Sequence, residues 1–464
     1  MSIARQIIWL FCLSIFGLPT LTAAQTNVMV LDTFIETHRV PSVGVSWKTV
    51  TLANDYVAPV VSCTYVLASS SNNEAHTRVR NVGPLSFEVR AQRFEDPASL
   101  SASDVHCLVV ETGAHTLADG RKIEARTVQS TNVSGKNVGW SNTTTENVTT
   151  SLTSGFSAMA IFGQVMTFAD SRASVFWTNN CSNRGAPPTL TNFCVGKHIG
   201  QLSGTRGTET LGYIVAQPGS GTVNGVSYVF ALGGNSIRGV GNSPAYNYTV
   251  SGDFDTAVAT QAAENGGDGG WAVLYGSDPL PNNAIQLAIE EETLVGDSSR
   301  THTAEQVYYA AFDSNQSALF EASKSLAMAA DNPTVYAVPG SDVVYTIDIQ
   351  NTGNGPADLN SIFLVDSLPE EVEFFNGDMD GAGPASGPVL FDAGTSGLTF
   401  TAATDLRYSN LVARPSNVGE CLYTPTSGYD SNVKHVCFSP KGYARPETLY
   451  AGNTASLSFR VQIP

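Results

Sequence analysis

Apolar and polar residues alternate along much of this chain. In "VVYTIDI", Val344, Thr346 and Asp348 interleave with Tyr345, Ile347 and Ile349. A period of two sends alternate side chains to opposite faces of a strand, so such segments predict half-buried β-strands. A second kind of segment has an aromatic, two spacers and three apolar residues: "YVAPVV" from Tyr56, "FSAMAI" from Phe156 and "FDTAVA" from Phe254. These read as buried strands, and Gly, Asn and Ser clusters punctuate the intervals.

The three apolar segments recur about a hundred residues apart, which points to an internal repeat. Each is preceded by an aromatic (Trp47, Trp140, Tyr246) and followed by an aromatic-bearing strand with Phe87, Trp177 or Trp271. Each copy closes with a late strand, starting at Val105, Leu211 and Gln306. The repeat predicts three β-sandwich modules over 25–130, 131–235 and 236–312, the third most diverged. Phe87, Trp177 and Trp271 are then expected on equivalent strands of a compact pseudo-trimer. One large sandwich is the competing architecture.

Beyond Phe312, "SALFEASKSLAMAADNP" holds helix formers ended by Asn332-Pro333, and reads as a linker helix over 313–332. Residues 333–464 resume the strand pattern and predict a separate sandwich. The fold class is therefore all-β, with tandem antiparallel β-sandwich modules followed by a further sandwich.

Composition narrows the function. Charged residues are only 14% of the chain, and the net charge is −17. Nucleic acid and anionic lipid need clustered Lys and Arg, so neither is expected as a partner. At the amino terminus, Arg5 precedes the apolar run "IIWLFCLSIFGL", Pro19 and "LTAAQ", a secretory signal over 1–24. That run is too short to span a bilayer, and no transmembrane segment is expected in the mature chain. Cys12 leaves with the signal. The six remaining cysteines allow fifteen pairings. Pairing neighbours keeps each bridge within one region: Cys63–Cys107, Cys181–Cys194 and Cys421–Cys437. Export to a cell surface or the medium follows.

Catalytic patterns are missing from the sequence. Glu290, Glu291 and Glu292 are contiguous, so on a strand they alternate faces. His302 and Glu305 are three apart but read as loop residues. No enzyme is expected, and no cofactor, with calcium as the one exception considered. "NGDMDG" offers oxygen ligands at Asn376, Asp378 and Asp380, as a calcium loop begins, but position twelve is Gly387 rather than a bidentate Glu.

Two resemblances add to this. Pro339-Gly340, Tyr345-Thr346-Ile347, Asn351-Thr352-Gly353 and Asp366-Ser367-Leu368-Pro369 together resemble the Ig-like conserved-repeat domain of bacterial surface proteins, with Ser341-Asp342 where an acid usually follows Gly directly. The resemblance implies an Ig-like sandwich on an extracellular bacterial protein. More loosely, Trp47, Val50-Thr51-Leu52, Tyr56, Pro59-Val60-Val61, Arg78 to Val82, Phe87-Glu88-Val89 and Val105 to Glu111 resemble the H-type lectin module, a sugar-binding β-sandwich. A sugar site needs an aromatic platform and planar polar groups. The lectin family's own sugar contacts lie in loops that do not align and none is carried over; in the first copy the candidates are Arg78, Arg80 and Glu111, at strand ends, with Trp47 close by in that pattern. In the third, "ENGGDGGW" sets Asp268 beside Trp271 on a Gly-rich loop. The expected function is a secreted, lectin-like surface protein whose partner is a glycan or another cell-surface ligand. The alternative is a structural subunit of a surface layer or fibre, with self-association its only partnership.

Overall fold

The computed structural model describes residues 27–94, 100–295, 298–332, 336–379 and 387–464. The expected signal at 1–24 lies outside the described residues. The architecture is all-β, built of antiparallel sheets.

The first unit runs β1 (Val28–Asp32), β2 (Ile35–Val43), β3 (Lys48–Thr51), β4 (Pro59–Leu67), β5 (His76–Arg80), β6 (Ser86–Gln92) and β7 (Ser103–Glu111). The second runs β8 (Gly113–Thr116), β9 (Lys122–Ser130), β10 (Glu146–Asn147), β11 (Ala160–Val165), β12 (Val175–Asn179), β13 (Cys194–His198) and β14 (Glu209–Ala216). The third runs β15 (Gly219–Val223), β16 (Val226–Leu232), β17 (Tyr246–Thr249), β18 (Thr256–Gln261), β19 (Gly270–Tyr275), β20 (Ala284–Glu291) and β21 (Val307–Ser314).

One strand order serves all three units. The first, second, seventh and fourth strands form a four-stranded sheet: β1-β2-β7-β4, β8-β9-β14-β11 and β15-β16-β21-β18. The third, sixth and fifth form a three-stranded sheet: β3-β6-β5, β10-β13-β12 and β17-β20-β19. This topology moves the expected boundaries. A cut at 130 assigns β8 and β9 to the first module, yet β9 pairs from Ile123 to Ser130 with β14. A cut at 235 assigns β16 to the second module, yet it pairs with β21. The ladders place the units at 28–111, 113–216 and 219–314. Phe87 is also corrected: it lies on the sixth strand of its unit, whereas Trp177 and Trp271 lie on fifth strands.

The three fourth strands, β4, β11 and β18, contact one another pairwise, so the units gather around one line rather than hanging as beads. This explains the lack of alternation there: every residue of β4 and of β18 is buried, because each packs on its own unit and on its neighbours. β6, with one face to solvent, alternates instead. Polar side chains on the fourth strands bond across units. Thr64 Oγ1 donates to Ala259 O (3.1 Å) and accepts from Ala259 N (2.8 Å), and Gly163 N donates to Thr260 Oγ1 (3.3 Å). A short parallel pairing of Leu274 and Tyr275 with Val66 and Leu67 joins the third unit to the first.

The expected linker helix at 313–332 is a strand. β22 (Phe320–Met328) pairs over its whole length with β23 (Asp342–Asn351), at the edge of the C-terminal sheet. Nine ladder pairs and half-buried Phe320, Lys324 and Met328 override helix propensity. β23 keeps the predicted alternation, with Tyr345, Ile347 and Ile349 in the core. Asn351 explains its turn: its Nδ2 donates to Gly355 O and Ala444 O, and its Oδ1 accepts from Leu319 N and Gly353 N. The three cysteine pairs are bonded as Cys63–Cys107, Cys181–Cys194 and Cys421–Cys437.

Candidate functional site

The chemistry of this chain collects where the units meet. In each seam, the connection between the fourth and fifth strands of one unit lies against its neighbour. Its carbonyls accept hydrogen bonds from a neighbouring arginine. Arg78 of the first unit donates to Arg172 O (2.9 Å) and Asp170 O (3.1 Å) of the second. Arg184 of the second donates to Glu264 O (3.0 Å) and Gly266 O (2.7 Å) of the third. Arg300 of the third donates to Ser70 O (3.0 Å) and Asn72 O (2.7 Å) of the first, closing the circle.

The expected sugar contacts take their places in this frame. Arg78 is fully buried, with Glu209 Oε1 3.4 Å away; burial lowers its pKa to about 10 against the pull of Glu209. It is a seam anchor. Arg80, paired with Glu88 (2.8 Å), lies 4.2 Å from the centre of the Trp47 ring, and Arg90 lies 4.7 Å from it. Phe168 of the second unit meets Trp47 edge-on. The structure therefore does gather Trp47, Arg78 and Arg80, but the indole is engaged by two guanidinium groups and a phenyl ring. Glu111 is elsewhere, accepting from Val57 N (2.7 Å) and Ala58 N (3.0 Å) as the clamp of a loop. Asp268 and Trp271 part company. Asp268 pairs with Lys136 (2.6 Å), while Trp271 is buried, stacked on Phe94, with its Nε1 donating to Ala75 O (2.9 Å). In the expected calcium loop, Asn376 ends a strand and donates to Pro425 O and Thr426 O. Asp380 lies outside the described residues.

The seam between the second and third units has a different content. Glu264 follows β18, Glu291 ends β20, and His302 and Glu305 precede β21. His302 Nδ1 bonds Glu291 Oε1, and its Nε2 lies 2.9 Å from Glu305 Oε1. Glu305 Oε1 also accepts from Gly266 N (2.8 Å), and Glu264 Oε2 accepts from Gly270 N (3.2 Å). Among the described residues, Glu264, His302 and Glu305 form a group whose ligand atoms all lie within 4.8 Å of one another. All are buried, and Glu264 Oε1 and Glu305 Oε2 have no hydrogen-bond partner. His198 of the second unit places its Nε2 3.8 Å from Glu264 Oε1.

The electrostatics follow from that crowding. Burial, and then the charge of Glu305, raise the Glu264 carboxyl well above its ordinary range. Burial would lower His302, but the bonds to Glu291 and Glu305 prevail and raise it to about 10. Burial lowers His198 to about 3, which keeps it neutral. Gly266 is required here: a Cβ on it would stand 2.2 Å from His302 Cε1. The sequence offered a hint in the spacing of His302 and Glu305. Glu264 and Glu291 join them only through the fold.

Over 297 residues, 62% of its length, the chain is 27% identical to a protein of Haloquadratum walsbyi named halomucin. The matched stretch is 3% of that protein's length. No family model matches the chain. The all-β sandwiches fit Ig-like or lectin-like modules in outline. No helix among the described residues is long and apolar enough to cross a membrane.

Proposed function

We propose that this is an extracellular surface protein that acts by binding, without catalysis, and that its ligand is a glycan or a similarly polar surface group. Export is supported by the three disulfides, one in the first unit, one in the second and one in the C-terminal sandwich, since such bridges persist in oxidising compartments. The likeness to halomucin is consistent with a surface role.

One observation carries the binding reading. An open cleft of about 470 Å³ lies between the first and third units, lined by Arg39, Asp104, Asp255, Asp278, Phe254 and Leu280 among others. Its volume is that of a small-ligand site, and it offers planar polar groups beside apolar surface, as hydroxyl-rich rings require. Arg39 and Asp104 hold each other at 2.9 Å and stay partly exposed. None of the sugar contacts expected from the sequence lines it. A glycan array probed with the mature chain tests the reading. Binding that disappears in Arg39→Ala and Asp104→Ala, at unchanged melting temperature, is the expected result.

A second reading, a layer or fibre subunit, is favoured by β22. Among the described residues it is an edge strand with no partner on its outer side, and with Leu326 59% exposed, the form through which sheets join between chains. A silent array with concentration-dependent assembly in sedimentation would select it.

A further inference from the structure

The three seams differ in how they balance buried acid. In the first, Glu209 faces Arg78; in the seam between the third and first units, Glu290 faces Arg300. In the second seam three carboxylates, Glu264, Glu291 and Glu305, surround a single imidazole, and each of these side chains is at most 2% exposed. Arg184 of the second unit donates to the backbone carbonyls of Glu264 and Gly266 there. Buried carboxylates without a partner are costly. Glu264 Oε1 and Glu305 Oε2 are buried in this seam without a hydrogen-bond partner.

We propose that this seam binds one divalent transition-metal cation of the zinc type, held by His302 Nε2 and by the carboxylates of Glu264 and Glu305. Donors about 2 Å from a common ion stand roughly 3–4 Å apart, and the ligand atoms of these three groups, within 4.8 Å of one another, need only a small contraction to reach that spacing. The surroundings orient them as outer groups orient metal ligands. Glu291 takes Nδ1 of His302, which turns Nε2 toward the two carboxylates. Gly266 N and Gly270 N each engage one oxygen of Glu305 and of Glu264, leaving the other oxygen of each carboxylate without a protein partner. His198 is not a ligand. Its Nδ1 accepts from Gly200 N (3.3 Å), so its Nε2 carries the proton and, 3.8 Å from Glu264 Oε1, lies beyond hydrogen-bond reach. An imidazole with only two carboxylates suits zinc, whereas calcium takes six to eight oxygens. The ligands come from two connections of the third unit, packed on His198 and Arg184 of the second, so the ion would fasten that seam.

The test is metal content and metal-linked stability of the full mature chain. Mass-spectrometric metal analysis of chain dialysed against Zn²⁺ and then metal-free buffer is expected to give one zinc per chain. EDTA treatment is expected to lower the melting temperature, and Zn²⁺ alone to restore it, saturating at one equivalent. Co²⁺ added to the EDTA-treated chain is expected to give visible d–d absorption that Zn²⁺ abolishes. Glu264→Gln and His302→Gln are expected to lose the zinc. The EDTA-treated wild type needs no variant to fold, and an unchanged melting temperature with no zinc uptake would overturn the proposal. So would uptake of Ca²⁺ in preference to Zn²⁺, or full zinc binding by folded His302→Gln.

Discussion

Arg445 of the C-terminal sandwich grips Asp55 of the first unit through both terminal nitrogens, with Nη1 2.7 Å from Oδ2, while its Nε donates to Ala53 O at 2.9 Å. Its guanidinium also lies 4.8 Å from the centre of the Tyr450 ring, whose hydroxyl bonds Asn54. Val28, Val30 and Ala53 pack against Tyr443 and Leu449 at the same junction. The tail is docked rather than tethered. Removing the guanidinium in Arg445→Ala leaves Ala53 O without its donor, a loss on the order of 2 kcal/mol at the junction. We expect small-angle scattering to show a larger radius of gyration for Arg445→Ala than for wild type. An unchanged profile would mean that the apolar patch suffices.

β22 should behave as part of the tail. Hydrogen exchange at the β22 amides that bond β23 is expected to be as slow as on β23 itself. Fast exchange across Phe320–Met328 would restore the linker.

Gly266 should be irreplaceable. Alanine there would put its Cβ 2.4 Å from His302 Nε2, whereas at Gly234 nothing lies within 4 Å. Gly266→Ala is expected to destabilise the chain by about 1–3 kcal/mol, and Gly234→Ala to leave the calorimetric transition nearly unmoved. Equal melting temperatures for the two variants would show that the seam adapts.

Acid should weaken the assembly through histidines that are buried neutral. His106 on β7 accepts from Ala257 N of the third unit (3.1 Å). Burial, aided by Arg39, lowers its pKa to about 3 from an unfolded value of 6.5. Between those values the unfolded chain binds a proton that the folded chain refuses, so stability falls as pH drops from about 6.5 toward 3. His106→Asn keeps an acceptor for Ala257 N and cannot titrate. Denaturant titrations should show a shallower loss of stability between pH 6.5 and 4 for this variant, and parallel curves would remove His106 from the account.

The disulfides should differ in reach. Cys63, Cys107, Cys421 and Cys437 are buried, whereas Cys181 is partly exposed. Under mild reduction of the native chain, alkylation followed by mass spectrometry is expected to label Cys181 and Cys194 first. Losing Cys63–Cys107, which closes the longest span, at a separation of 44, should cost about 4 kcal/mol in the chain-entropy model. First labelling at Cys63 would contradict the burial.

What the sequence determined by itself is local. Alternation along β23 told which side chains face the core. The recurring aromatic-led apolar segments marked the starts of β4, β11 and β18. The late strands beginning near Val105, Leu211 and Gln306 are the seventh strands of the three units. Cysteine order was enough to pair the bridges. The alignment failed at Phe87 because fifth and sixth strands carry similar apolar patterns, and it failed at β22 because the residues of an exposed edge strand also favour a helix. Tertiary structure alone decided the seams. A period of two states that a face is buried, not against what, so nothing local told that Trp271 faces the first unit or that Arg78 serves the second. Nor did it bring Glu264 and Glu291 to His302 and Glu305. Those four meet because connections of the third unit converge at one end of its strands, whereas the seams form because three units pack around their fourth strands, which sums apolar contacts between residues far apart in the chain.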